Sequence, residues 1–188
     1  ILDVYKIISW NYVEGDEIYL FGFSRGAYTA RSVAGMIHKC GILRSNDLNL
    51  IEEAYTLYRN TSINAKHPKV VEFREKYCYP PKIKLIGVWD TVGSLGLPLN
   101  AFQFYNKKRY QFCDVKLSEN VDYAYHAVSI DEKRKTFTPS LWKQKEEIKE
   151  LNPNQVLEQK WFAGVHSNVG GGYPKEGLAD ISLKWMIE

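Results

Sequence analysis

Residues 18–37 read IYLFGFSRGAYTARSVAGMI. Residues 17–23 (EIYLFGF) are a short, nearly continuous apolar run, the pattern of a strand buried on both faces. Residues 27–39 carry helical periodicity and stop at Cys40-Gly41, with Gly41 placed as a C-cap. Between the two, Gly22-Phe23-Ser24-Arg25-Gly26 matches G-x-S-x-G. A nucleophilic serine must stand clear of its sheet on a tight strand-to-helix turn, in strained backbone geometry. Glycine two residues before and two after it relieves the crowding this creates. The following helix then aims its unpaired N–H groups and positive dipole end at the serine, which makes the N–H of Arg25 the expected oxyanion-hole donor. The pentapeptide alone is weak evidence, because Gly and Ser are common in turns; the strand before it and the helix after it supply the required context.

Outward from this stretch the same alternation continues. Residues 82–90 (KIKLIGVWD) form a second buried-type strand ending in Asp90, and residues 160–165 (KWFAGV) an apolar run ending at His166, which opens a Gly-rich loop. Residues 122–130 (DYAYHAVSI) fit a helix or a strand; the pattern does not decide. Helical patterns cover residues 1–13, where Ile1, Val4, Ile7 and Ile8 share a face, then 47–60, 68–76 and a last stretch from about Leu178. Residues 91–120 are loop-rich, with Gly93, Gly96 and Pro98, and residues 131–157, polar with Pro139 and Pro153, are expected mostly at the surface. Strands alternating with helices predict an α/β domain with a largely parallel sheet, in which ligands bind at the carboxyl ends of the strands. Three strands are expected to end there on reactive residues: Ser24, Asp90 and His166.

A nucleophilic serine needs a base. His38 lies within the helix after the turn, His67 precedes Pro68 in a polar loop, and His126 sits in an apolar segment as a core histidine would. His166 is favoured because its glycine-rich loop can approach the turn closely. The carboxylate that orients the base should lie between serine and histidine in the chain. Asp90 is favoured by its strand-end position and the tight Thr91-Val92-Gly93 that follows. Asp131 remains the alternative, although it opens a charged run, DEKRK, of the kind that usually marks a solvated face; Asp114 and Asp122 are less well placed.

Composition limits the function classes. The 188 residues suffice for one domain with a sizeable core, and 45% hydrophobic with 14% aromatic residues reads as globular. A net charge of +3, with both signs interspersed, gives no argument for nucleic acid. No apolar stretch reaches the roughly 18 residues of a spanning helix, and no signal-peptide pattern is visible. Cys40, Cys78 and Cys113 are too few and too scattered for a disulfide framework or a zinc site, and read as reduced, packed thiols of a protein made in the cytoplasm. Gly170-Gly171-Gly172 lacks the Lys-Ser/Thr of a phosphate-binding loop. Both ends fall inside helical patterns, so residues 1–188 are expected to be one catalytic domain, incomplete at both ends.

The segments GFSRGAYTARSVAGMI, KLIGVWDTVGSLG, AYHAVSIDEKRKTFTPSLW and WFAGVHSNVGGGYP together resemble the α/β-hydrolase domain of the type VI secretion phospholipase effectors and their relatives. The resemblance implies an α/β-hydrolase-like fold and a Ser-Asp-His triad at Ser24, Asp90 and His166. It implies cleavage of ester bonds of lipids or phospholipids, without metal or organic cofactor, by a protein exported as an effector without a signal peptide. Membrane contact is expected through segments outside these residues. Two departures stand out. Relatives often carry Asp where this chain has Asn168, and the family's Asp-Gly-Thr-rich loop before the nucleophile, an expected source of the second oxyanion donor, is absent. The expected activity is therefore a serine esterase or lipase acting through an acyl-enzyme. The rival readings are a catalytically silent interaction domain of the same fold and a serine hydrolase of another class, such as a thioesterase or peptidase.

Overall fold

The computed structural model describes residues 1–92, 117–143 and 150–188. Cys113, Asp114 and most of the loop-rich run from Gly93 lie outside the described residues. Four parallel strands, β1 (Tyr19–Phe23), β4 (Ile83–Trp89), β5 (Val121–Ser129) and β6 (Val156–Phe162), make one sheet in the order β1-β4-β5-β6. The register sets Leu20 beside Ile86 and Ala124 beside Leu157, and Phe21 beside Gly87. Helix α2 (Arg25–Cys40) lies against the Leu20–Ile86 face. Its inward residues Ala27, Ala30 and Ala34 are small, which lets helix and strands approach closely, while Val33, Ile37 and Met36 complete the core. Beyond α2, helices α1 (Leu2–Asn11), α3 (Ile51–Arg59) and α4 (Pro68–Tyr77) and a two-stranded antiparallel ribbon, β2 (Ile42–Leu43) with β3 (Cys78–Tyr79), extend that core.

The opposite face is covered by the end of the chain, through α5 (His166–Gly170) and α6 (Gly177–Ile187). Met186 of α6 reaches the sheet at Gly87, and Trp185 packs on Tyr125 and Phe162, with ring centroids 5.6 and 5.4 Å apart. The Ser182 hydroxyl donates to the Val169 carbonyl (2.6 Å), which ties α6 to α5. The architecture is thus the expected one, a parallel sheet flanked by helices on both faces.

Local differences have physical reasons. Residues 122–130, left open between helix and strand, are a strand, because β4 and β6 satisfy their backbone groups on both sides. The inward face of α1 runs through Tyr5 and Ser9, while Val4 and Ile7 are exposed: the Tyr5 hydroxyl donates to the Gly41 carbonyl (3.0 Å) and accepts from the Leu43 N–H (3.3 Å), so a polar anchor overrides the apolar period. The helix expected over 47–60 begins as a 3-10 turn, Ser45–Leu50, and becomes α-helical only at Ile51. Cys40 and Cys78 are buried free thiols, and burial pushes both up to about 12. Among the described residues, no helix is long and apolar enough to cross a membrane.

Candidate active site

Ser24 is the first residue past β1 and Asp90 the first past β4. Both have positive φ, 58° at Ser24 and 42° at Asp90, the only such non-glycine residues among those described. The Ser24 N–H still donates to the Trp89 carbonyl and the Asp90 N–H to the Ala127 carbonyl, so the ladder holds each residue as the chain turns away. A side chain at Gly22 would meet the Gly26 carbonyl at 2.4 Å, which makes glycine necessary there. Gly26 departs from expectation: a Cβ on it meets nothing within 4 Å among the described residues, because it points off the helix rather than into the turn. Arg25 opens α2, and its N–H is one of the first-turn amides that have no acceptor within a helix.

His166 does not end a strand. Strand β6 stops at Phe162, and three residues, with Gly164 at φ 102°, carry the chain to the short helix α5, which His166 begins. Asn168 accepts the Val165 N–H with its side-chain oxygen (3.1 Å), so the amide caps α5 at the position where relatives were expected to carry a carboxylate. The imidazole lies between the rings of Phe23 (4.5 Å) and Phe137 (4.6 Å).

These elements bring Ser24, His166 and Asp90 into one hydrogen-bonded chain. His166 Nε2 is 2.8 Å from Ser24 Oγ, and His166 Nδ1 is 2.6 Å from Asp90 Oδ2. Asp90 is fully buried and His166 nearly so. The Asp90 carboxylate also accepts the Ser129 N–H at Oδ1 (3.0 Å) and the Ser129 hydroxyl at Oδ2 (2.8 Å). With a carboxylate at Nδ1, the neutral ring carries its proton there and leaves Nε2 to accept from Ser24. Asp131 lies elsewhere: its Oδ2 accepts the Gly164 N–H (2.7 Å) at the turn before His166.

Of the other histidines, His126 is satisfied in the core. Its Nε2 accepts the Thr91 N–H (3.1 Å), its Nδ1 faces Gln159 Oε1 (3.3 Å), and its ring meets Trp142 edge-on. Burial, and next the nearby Arg31 charge, hold it down to about 4, so the ring is neutral. His67 caps α4, accepting the Lys69 N–H, and His38 lies in the last turn of α2. Sequence reading missed Ser129 and Glu132. Ser129 sits in an ordinary strand pattern, and Glu132, whose side chain is 5% exposed, sits in a run that looked solvated. Trp142, 5% exposed, likewise lies buried in the stretch expected at the surface. Among the described residues no group of three or more His, Cys, Asp or Glu side chains could hold a metal ion.

A cleft of about 470 Å³ runs beside β1 between Phe21, Phe23 and Trp89 on the sheet and Gly171, Ala179 and Leu183 on the covering segment. It adjoins the nucleophile turn through Phe23.

A protein from Saccharomyces cerevisiae, described as uncharacterized protein YEL023C, is 30% identical over 146 residues, 73% of this chain and 20% of that protein. A solved structure of the Tle1 effector bound to the VgrG spike of the type 6 secretion system is similar over 84% of this chain and 25% of that chain, at 21% identity and a TM-score of 0.44. The chain therefore spans only a fifth to a quarter of the length of these two proteins. The family model for the catalytic domain of Tle1-like type VI secretion phospholipase effectors matches residues 1–188, and the chain belongs to that family.

Proposed function

We propose that this domain is a serine hydrolase that cleaves carboxylic esters of lipids or phospholipids. The observation that carries the reading is the hydrogen-bonded chain Ser24 Oγ–His166 Nε2, His166 Nδ1–Asp90 Oδ2, at 2.8 and 2.6 Å, on a strand–turn–helix nucleophile turn. His166 takes the Ser24 proton as Oγ attacks the ester carbonyl, forming a tetrahedral adduct whose oxyanion the Arg25 N–H stabilises. The imidazolium, held by Asp90, gives that proton to the departing alcohol and leaves an acyl-Ser24. Water then attacks the acyl carbon with His166 again as base, releasing the carboxylic acid and free Ser24. No metal or organic cofactor takes part in these steps. The family's description as phospholipase effector catalytic domains supports a lipid ester as the substrate class.

The test is labelling with a fluorophosphonate probe, together with hydrolysis of p-nitrophenyl esters and phospholipid vesicles by the full chain and its Ser24→Ala variant. The expected result is labelling and turnover in the unaltered protein. Both should be lost in the variant, by several orders of magnitude in rate and with the fold retained. Labelling that survives Ser24→Ala would reject Ser24 as nucleophile. Absence of both labelling and turnover in the unaltered protein would favour a silent interaction domain.

A further inference from the structure

The charged run that begins at Asp131 lies against the back of the His166 turn. Glu132 Oε2 accepts the N–H of His166 (3.3 Å). Arg134 grips the same carboxylate: its Nε donates to Oε1 (2.8 Å), its Nη2 to Oε2 (2.7 Å), and its own backbone N–H to Oε1 (2.9 Å). This is a bidentate ion pair with geometric as well as electrostatic strength. The hydrogen bonds from Arg134, largest among the causes, hold the Glu132 carboxyl down to about 2. Arg134 in turn lies 3.7 Å over the ring of Phe137, which makes a T-shaped contact with the imidazole.

One residue earlier, Asp131 takes the Gly164 N–H, and its own N–H donates to the Gly164 carbonyl (3.1 Å). Ser129, at the end of the same strand, holds Asp90 through both its N–H and its hydroxyl. One short stretch at the end of β5 thus holds the acid through Ser129, the turn before the base through Asp131, and the base's own N–H through Glu132. A carboxylate with so little of its side chain exposed is held by its partners rather than by water. Here its partners are Arg134 and the backbone of His166.

We propose that Glu132 is a positioning residue for His166: clamped by Arg134, it fixes the backbone from which the imidazole reaches Ser24 and Asp90 together. The proposal rests on the hydrolase reading above and extends it. A shift of about an ångström in such a base costs up to about a hundredfold in rate. Glu132 touches none of the reacting atoms, so its removal lowers turnover per intact site and leaves substrate binding alone.

The experiment compares Glu132→Ala, Glu132→Gln and Arg134→Met in the full chain. Turnover is normalised to sites labelled by a fluorophosphonate, and the far-downfield Nδ1–H proton resonance of His166 is followed by NMR. Glu132→Ala is expected to lower kcat per labelled site about 10- to 100-fold with KM within about twofold, and to lose the His166 resonance. Glu132→Gln keeps an acceptor for the His166 N–H and should recover most of kcat and the resonance. Arg134→Met, at a more exposed position, should give an intermediate loss and decides the matter if Glu132→Ala does not fold. Unchanged kcat per labelled site in Glu132→Ala, or in Arg134→Met if that variant alone is folded, would overturn the proposal. So would a Glu132→Gln protein no better than Glu132→Ala. If the unaltered protein hydrolyses no ester, the hydrolase reading fails by itself, and the resonance still decides whether Glu132 holds the imidazole.

Discussion

Acid should unfold this protein partly through His126. In the folded state that ring is fully buried, neutral and held at about 4, against about 6.5 in an unfolded chain. Between these values the unfolded state binds a proton that the folded state refuses, so stability falls as pH falls. The contribution is complete above about 6.5 and gone below about 4. A shift of about 2.5 units is worth about 3 kcal/mol at 1.36 kcal/mol per unit, of which about 2 kcal/mol or slightly more is lost between about pH 7 and about pH 4.5. Burial is the main reason and the Arg31 guanidinium, stacked on the neighbouring Trp142, the next; a proton on Nε2 would also point at the Thr91 N–H, now its donor at 3.1 Å. The assay is urea unfolding across this pH range for the unaltered protein and His126→Gln, whose side chain can still accept from Thr91. The substitution itself should cost about 1–3 kcal/mol at neutral pH. All other titrating groups are shared, so the difference between the two stability curves isolates His126. Parallel curves would refute the reasoning.

Asp90→Asn should lower kcat by about four orders of magnitude. The Ser129 N–H selects the amide oxygen at Oδ1, which turns the NH2 toward His166 Nδ1 and forces the proton onto Nε2, where it can no longer accept from Ser24. Asp131→Asn keeps its acceptor for the Gly164 N–H and should cost less than about tenfold; the reverse ranking on one soluble ester would move the acid to Asp131. Gly170→Ala would set a methyl group 2.1 Å from the Phe23 ring, which packs against the imidazole, so both kcat and the thermal midpoint should fall, with about 1–3 kcal/mol lost. Unchanged kinetics and midpoint would show that Phe23 can retreat without moving His166.

Much of the fold was legible in the chain because its signals are local. The apolar run over 17–23, the glycine at 22 and the helical period after it are read over a few residues. The structure has β1, α2 and the Gly41 cap where those signals lie. The expected strain at Ser24 follows from the same turn and has its counterpart in φ 58°. The strained φ of Asp90 was not legible, since Asp-Thr-Val-Gly carries no turn signal as strong as the nucleophile pentapeptide. Residues 121–129 alternate too weakly to separate strand from helix, and only pairing with β4 and β6 decides them.

What the residue order determined by itself is the set of short-range choices: where β1 and β4 stop, and which serine stands on the tight turn between a strand and a helix. Tertiary structure alone decided the rest. His166 begins a helix rather than ending a strand, because Asn168, Asp131 and Glu132 hold the turn before it. The Glu132 side chain is covered although its neighbours are solvated, because the backbone it serves lies 34 residues further on. Asp90 and His166 meet across 76 residues, and Ser24 and His166 across 142. Periodicity reports how a residue relates to neighbours one or two turns away. A hydrogen bond between distant segments depends on how whole strands and helices pack, and that information is spread over the entire core rather than written beside either partner.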